Sequence, residues 1–247
     1  MRYLILADLH GNLDALETVL AAASEEGYDE IFLLGDLVGY GAGPNEVVEA
    51  MRAQVPKGHV VRGNHDKVVA GIEHGENFNE VARLAARWTR EQLSHDNLEY
   101  LVRLPRGPLE TGSGATICHG SPLDEDEYVL AQDQGDRIFR SQPARLTFFG
   151  HTHLPTLATW DGRSSTLEVL TGSREEIELR EGRRYLFNPG SVGQPRDRDP
   201  RAAYAIYDAG TSVVHWRRVR YPVESAQRRI YEAGLPAVLA YRLAVGL

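Results

Sequence analysis

The chain is poor in the residues that would place it in several common classes. It has one cysteine, Cys118, so no internal disulfide can form. No apolar run approaches the length of a membrane span. The N-terminus enters Tyr3-Leu4-Ile5-Leu6-Ala7 at once. That run is too short for a signal h-region and ends in Asp8, so the expected compartment is cytoplasmic. Lysine is scarce, at 2 residues against 25 arginines, which reads as coding bias before it reads as a taste for phosphate. Net positive charge is also absent. A formal charge of −8 argues against general affinity for nucleic acid or anionic membrane. Internal repeats and low-complexity tracts are missing as well.

What is present fits one sizeable globular domain, expected to span 1–247. Hydrophobic residues make up 42% and charged residues 25%, an ordinary globular balance. Arg2 to Ala7 and Ile31 to Leu34 read as buried strands, and His59 to Val61 as a third. A helix starting near Leu13 and another over Asn45 to Met51 separate them, so a parallel sheet with right-handed crossovers is expected. Residues 67–104 read as a helical insertion beside the sheet. From Leu109 the pattern turns to β, with hairpins at Asp161-Gly162 and Asp208-Ala209-Gly210. Residues 223–247 read as closing helices broken near Pro236.

Five polar stretches follow apolar runs of β type: Asp8-Leu9-His10, Gly35-Asp36, Gly63-Asn64-His65-Asp66, Cys118-His119-Gly120 and Gly150-His151-Thr152-His153. One polar turn after a strand is ordinary. Five loaded with metal-ligand side chains are a pattern. Asp8, His10, Asp36, Asn64, His119, His151 and His153 supply two carboxylates, one amide and four imidazoles. Mixed nitrogen and oxygen donors suit first-row ions better than Mg²⁺ or Ca²⁺. With no thiolate in the set, a structural zinc site is excluded. Seven ligands exceed one tetrahedral shell, whereas two ions sharing a carboxylate fit the count.

In order and spacing these motifs are similar to those of the calcineurin-like metallophosphoesterase superfamily, over residues 8 to 153. Asn188-Pro189-Gly190-Ser191 resembles a further motif of its small bacterial and archaeal phosphodiesterase branch. The resemblance implies an α/β fold, a four-layer α-β-β-α sandwich with a small helical insertion. It implies two divalent ions drawn from Mn, Fe, Zn, Co and Ni. Asp8, His10 and His153 would hold one, Asn64, His119 and His151 the other, and Asp36 would bridge them. His65 would be the catalytic residue that contacts the phosphoryl group and protonates the leaving alkoxide. Two cations about 3.5–4 Å apart lower the pKa of a bridging water and clamp a phosphoryl group. The expected substrate is a small phosphoester, most of all a phosphodiester, nucleotide or dinucleoside polyphosphate.

Three further residues are candidates for substrate contact. Asn12 reads equally as a helix cap. Asn188 sits in the further motif, and Arg196 follows it in an alternating Arg/Asp stretch that otherwise marks a solvated surface. Asp66 reads as a hydrogen-bonding partner of the loop before it reads as an orienter of His65, and Cys118 reads as a small buried residue. Arg217, Arg218, Arg220, Arg228 and Arg229 are expected on an exposed face. Protein Ser/Thr phosphatases of the superfamily carry an aspartate and then an arginine shortly after the Gly-Asp motif; here those places hold Gly39 and Tyr40. That departure weighs against protein phosphatase activity and against a close match to symmetrical dinucleoside tetraphosphatases. A non-catalytic scaffold on the same fold is a rival reading, opposed by the intact motif set. Neither stable nucleic-acid binding nor a membrane partner is expected, and no oligomeric state is implied.

Overall fold

The computed structural model describes residues 1–55 and 59–247. The described elements run β1 (Arg2–Leu6), α1 (Leu13–Glu26), β2 (Glu30–Leu33), α2 (Pro44–Gln54), α3 (Asn64–Ala70), α4 (Glu80–Gln92), α5 (His95–Val102), β3 (Leu109–Glu110) and β4 (Ala115–Ile117). They continue with α6 (Gln132–Ser141), β5 (Leu146–Phe148), β6 (Thr156–Trp160), β7 (Ser165–Val169), β8 (Arg174–Glu178) and β9 (Arg184–Asn188). The chain closes with β10 (Ala202–Asp208), β11 (Val213–Val219), α7 (Val223–Glu232) and α8 (Ala237–Val245). No helix among these is long and apolar enough to cross a membrane.

The strands form two sheets, in the orders β2-β1-β10-β11-β8 and β3-β4-β5-β9-β6-β7. Strand alternation sorts side chains into layers. On β1, Tyr3 and Ile5 enter a core shared with Phe32, Phe148, Phe187 and Trp216, which come from both sheets. Leu4 and Leu6 point the other way, into a second core with α1, α2, α4, α7 and α8. On the far side, Ile138 and Phe139 of α6 pack on Trp160 and Leu186. The result is the expected four-layer α-β-β-α sandwich. Each large apolar side chain fully buried between the sheets contributes about 1.5–3 kcal/mol.

Three expectations are corrected. The first sheet is mixed: β1 pairs β2 in parallel but β10 antiparallel. Its parallel character is confined to the segment that carries the first polar loops. Residues 59–61 lie alongside β2 through a single bridge, Leu33 to Val60, which is too little for a strand. Arg217 and Arg218 are not on a free face. Arg217 pairs with Glu26 at 2.9 Å, and buried Arg218 lies over Trp216 and pairs with Asp197. The phase of β11 turns Trp216 and Arg218 inward together, a pairing that the charge of the stretch conceals.

The layers matter for function because of where the connections fall. The loops after β1, β2, β4, β5 and β9 all leave the carboxyl ends of parallel-paired strands. Crevices beyond such strand ends collect functional groups in α/β proteins.

Candidate metal centre

The strand-end loops are knitted to one another by backbone bonds. His10 N donates to Asp36 O at 2.9 Å, and Gly150 N donates to His119 O at 2.7 Å. Val192 and Gly193 donate to Ala7 O and Asp8 O. This weave holds several side chains in conformations that L-residues avoid. Asp8, His10, Asp36, His151 and His153 all have positive φ, between 47° and 68°. Only eight non-glycine residues among those described do so, and five belong to the candidate ligand set. Each costs on the order of 1–3 kcal/mol, and such strain persists where surrounding structure enforces it at functional sites.

Hydrogen bonds set the state of each imidazole. Nδ1 of His10, His119 and His153 donates to the carbonyl of Val38, Leu34 and Gln194, at 3.1, 2.8 and 2.5 Å. A carbonyl only accepts, so in these neutral rings the proton is on Nδ1 and Nε2 is a bare lone pair. His151 is turned round. Its Nε2 donates to Asp126 O at 3.1 Å, leaving Nδ1 bare. The bare nitrogens then converge. Nε2 of His10 and Nε2 of His153 lie 3.1 Å apart, as do Nε2 of His119 and Nδ1 of His151. Asn64 Oδ1 lies 3.1 Å from His119 Nε2. Two lone pairs facing each other at that distance are not a hydrogen bond; they repel unless a cation lies between them. Backbone carbonyls fixing a ring through its other nitrogen are the usual support for metal-ligating histidine.

Asp36 joins the two halves. Its Oδ2 is 3.5 Å from His10 Nε2 and 3.5 Å from His119 Nε2. Its Oδ1 accepts from His65 N at 2.8 Å. Asp8 Oδ1 is 3.6 Å from His153 Nε2, and its carboxylate accepts from His151 N. Two ligand groups therefore share one carboxylate: Asp8, His10, Asp36 and His153 on one side, and Asp36, His119 and His151 on the other. All these side chains are buried. The donor chemistry fits divalent cations, which would supply the positive charge that the buried carboxylates lack.

Electrostatics point the same way. Burial holds Asp36 up to about 7, and burial together with Asp36 holds Asp8 well above the carboxylate range. Burial pushes His151 down to about 2, and His10, His119 and His153 are lowered by the same cause. Without cations the site thus favours neutral imidazoles and protonated acids. Cations need the acids ionised, so binding must expel protons. At pH 7, Mn²⁺ titration calorimetry in buffers of different ionisation enthalpy should show release of about one to two protons per chain. The number should fall towards zero as pH rises above the raised carboxyl values. Apparent affinity should therefore increase through neutral pH and then level off.

The other sequence candidates divide. His65 is buried in the first turn of α3, its ring 4.9 Å from that of His10 and its Nδ1 without a hydrogen-bond partner. Asp66 lies in the first turn of α3 and hydrogen-bonds the neighbouring loop. Its carboxylate accepts from Leu37 N at 2.9 Å and Gly63 N at 2.9 Å, tying the Asp36 loop to α3. Asn12 caps α1 through Ala15 N, and its amide donates to Gly193 O at 2.9 Å. Asn188 donates to Gly150 O and Thr152 Oγ1 and accepts from Gly190 N. Both amides are engaged internally, where they hold loops. Arg196 differs. It lies over Tyr40 at 6.0 Å; its charge opposes the burial-driven rise of the Asp8 and Asp36 carboxyls and adds to the burial-driven fall of the His10, His65, His151 and His153 imidazoles. Cys118 is buried, and burial pushes its thiol up, which keeps it inert.

Sequence reasoning passed over Lys67 and the loop that it holds. Its side chain is 1% exposed, and Nζ meets Asp126, Glu73 and Glu125 at 2.6, 2.9 and 3.3 Å. That acidic trio is filled by the ammonium. The signal was available: Lys67 is one of only two lysines in a chain with 25 arginines. A compact ammonium fits a three-carboxylate trap that a planar guanidinium does not.

A sandwich whose strand-end loops pool aspartates and bare imidazoles around a shared carboxylate has the build of a metallophosphoesterase. The chain belongs to the calcineurin-like phosphoesterase superfamily, whose domain matches residues 1–212. Families of this kind are metal-dependent. The crystal structure of a metallophosphoesterase from Sphaerobacter thermophilus is similar to it, at 40% identity and a TM-score of 0.88, covering 100% of this chain and 99% of that one. An uncharacterized protein of Methanocaldococcus jannaschii is 37% identical over 98% of this chain and 97% of its own length. Phosphodiesterase YfcE of Escherichia coli K12 is 26% identical over 84% of this chain and 88% of its own.

Proposed function

We propose that this chain is a dinuclear, metal-dependent phosphodiesterase acting on small nucleotides or dinucleoside polyphosphates. The observation that carries the reading is Asp36 Oδ2, 3.5 Å from the bare Nε2 of both His10 and His119, one in each imidazole set. Asp8, His10 and His153 would hold one ion, and Asn64, His119 and His151 the other. When bound, the ions supply Lewis-acid stabilisation of the phosphoryl oxygens and a nucleophile active at neutral pH. The chain's own residues do the rest. His65, kept neutral by burial, offers a ring N–H to a phosphoryl or leaving oxygen. Arg196 supplies a fixed positive charge at the mouth for the phosphate that is not attacked. The named phosphodiesterase among the relatives supports diester chemistry.

The protein Ser/Thr phosphatase alternative loses support at Gly39. A Cβ there would stand 2.5 Å from His65 Nδ1, so no carboxylate-bearing side chain fits beside that ring. The scaffold alternative loses support from the completeness of the ligand set.

The test is turnover by metal-stripped protein with Mn²⁺, Fe²⁺, Co²⁺, Ni²⁺, Zn²⁺ or Mg²⁺ restored singly. A p-nitrophenyl monoester, its diester and a dinucleoside polyphosphate would be compared. The expected result is turnover restored by a transition ion, fastest on a diester or the dinucleotide. Silence with every ion, despite ions bound, would contradict the proposal.

A further inference from the structure

The connection between β4 and α6 does more than join them. Its start is folded on itself, with Ser121 Oγ donating to Glu127 Oε2 at 2.6 Å and Gly120 N donating to Glu125 O at 3.1 Å. Arg62 forks onto Glu125 at 3.2 Å through two nitrogens, and Lys67 pins Asp126. Gln134 Nε2 donates to the Tyr128 carbonyl at 2.6 Å. Asp126 O meets His151, so this braced segment is in register with the metal centre.

The segment carries Tyr128. Its ring centroid is 4.0 Å from that of His151, with 36° between the planes, yet the residue is 44% exposed. Core packing does not explain an aromatic ring that stays so far in water. Flexibility does not explain it either, because both its carbonyl and the preceding residues are tied down. Tyr40 and Phe78 flank His65 at 4.4 and 4.5 Å. Rings therefore border the metal centre, and Tyr128 is the most exposed of them.

We infer that Tyr128 is a stacking platform for the base of a nucleotide, so that this site selects phosphoesters carrying a planar heteroaromatic group. The inference rests on the nucleotide phosphoester reading above and deepens it by assigning the residue that recognises the base. Every base has a π-face, so such a platform favours nucleotides over sugar phosphates without strong preference among bases. The ring also covers His151, so a stacked base sits beside the ligand shell, with its phosphate directed inward.

The test compares adenosine 5′-monophosphate with ribose 5-phosphate, which has the same phosphate and sugar but no base. Binding to Mn²⁺-loaded protein is measured by calorimetry. The wild type should bind the nucleotide about tenfold more tightly. Tyr128→Ala should bring the nucleotide down to the sugar phosphate's affinity and leave the sugar phosphate unchanged. Tyr128→Phe should keep the preference. Equal affinities in the wild type, or an equal loss for both ligands in Tyr128→Ala, would overturn the platform. Turnover of the p-nitrophenyl diester separates the two ideas. Base-dependent binding with no turnover of any ester supports the platform and sinks the hydrolase reading; turnover without base dependence does the reverse.

Discussion

Asp36→Asn is expected to lower phosphodiester turnover by roughly 10²–10⁴-fold, which corresponds to the loss of about 3–5 kcal/mol when one partner of a buried charge pair is removed. The reason is geometric. Asp36 Oδ2 faces both imidazole sets, so an amide there withdraws negative charge from two ions at once. The fold should not suffer. Asn Oδ1 can still accept from His65 N, as Asp36 Oδ1 does at 2.8 Å. Its NH₂ would point at the bare Nε2 atoms of His10 and His119. In metal-free protein the native carboxyl, held at about 7, is about half protonated at pH 7 and largely so below it, so the variant should melt at the wild-type temperature or above. The signature is a normal melt without metal, coupled to loss of the metal-induced rise. Retained turnover would mean that Asp36 does not join two ions.

Gly63→Ala has the second-largest expected effect, although it removes no ligand atom. A Cβ at Gly63 would run into Asp36 Oδ1 and stand 2.5 Å from Asp36 N. The backbone conformation there, φ −103° and ψ 177°, suits alanine, so the penalty is purely steric. Either Asp36 moves or α3 does, and α3 carries Asn64 and His65. Overpacking of this kind costs about 1–3 kcal/mol. Misplacing reacting groups by about 1 Å can cost about 10²-fold in rate. Turnover should fall by about that factor, with a modestly lower melting temperature. Gly112→Ala is the control, since nothing lies within 4 Å of a Cβ there, and it should shift stability by less than about 0.5 kcal/mol.

The ligand types were legible in the sequence because each follows a strand. A strand end is the one place where a short motif and a shared three-dimensional edge coincide. The four layers were legible through the resemblance and the late β pattern. Other parts were hidden for physical reasons. Gly63-Asn64-His65-Asp66 reads as a turn, yet it opens α3, because Asp66 in the first turn accepts from Gly63 N and offsets its weak helix propensity. The partners that fix the imidazole protons are backbone carbonyls of Val38, Leu34, Gln194 and Asp126, and carbonyl direction has no residue code. Asn12 and Asn188 look like free amides in sequence, but long-range bonds to residues 193 and 150 use them. Arg218 looked solvated until the twist of β11 laid it on Trp216.

The central claim is two ions sharing Asp36. Anomalous diffraction from crystals grown with Mn²⁺ tests it most directly. The account predicts two peaks per chain, one among Asp8, His10 and His153 and one among Asn64, His119 and His151, both within bonding distance of Asp36. A single peak, or peaks that leave Asp36 unbound, would contradict it.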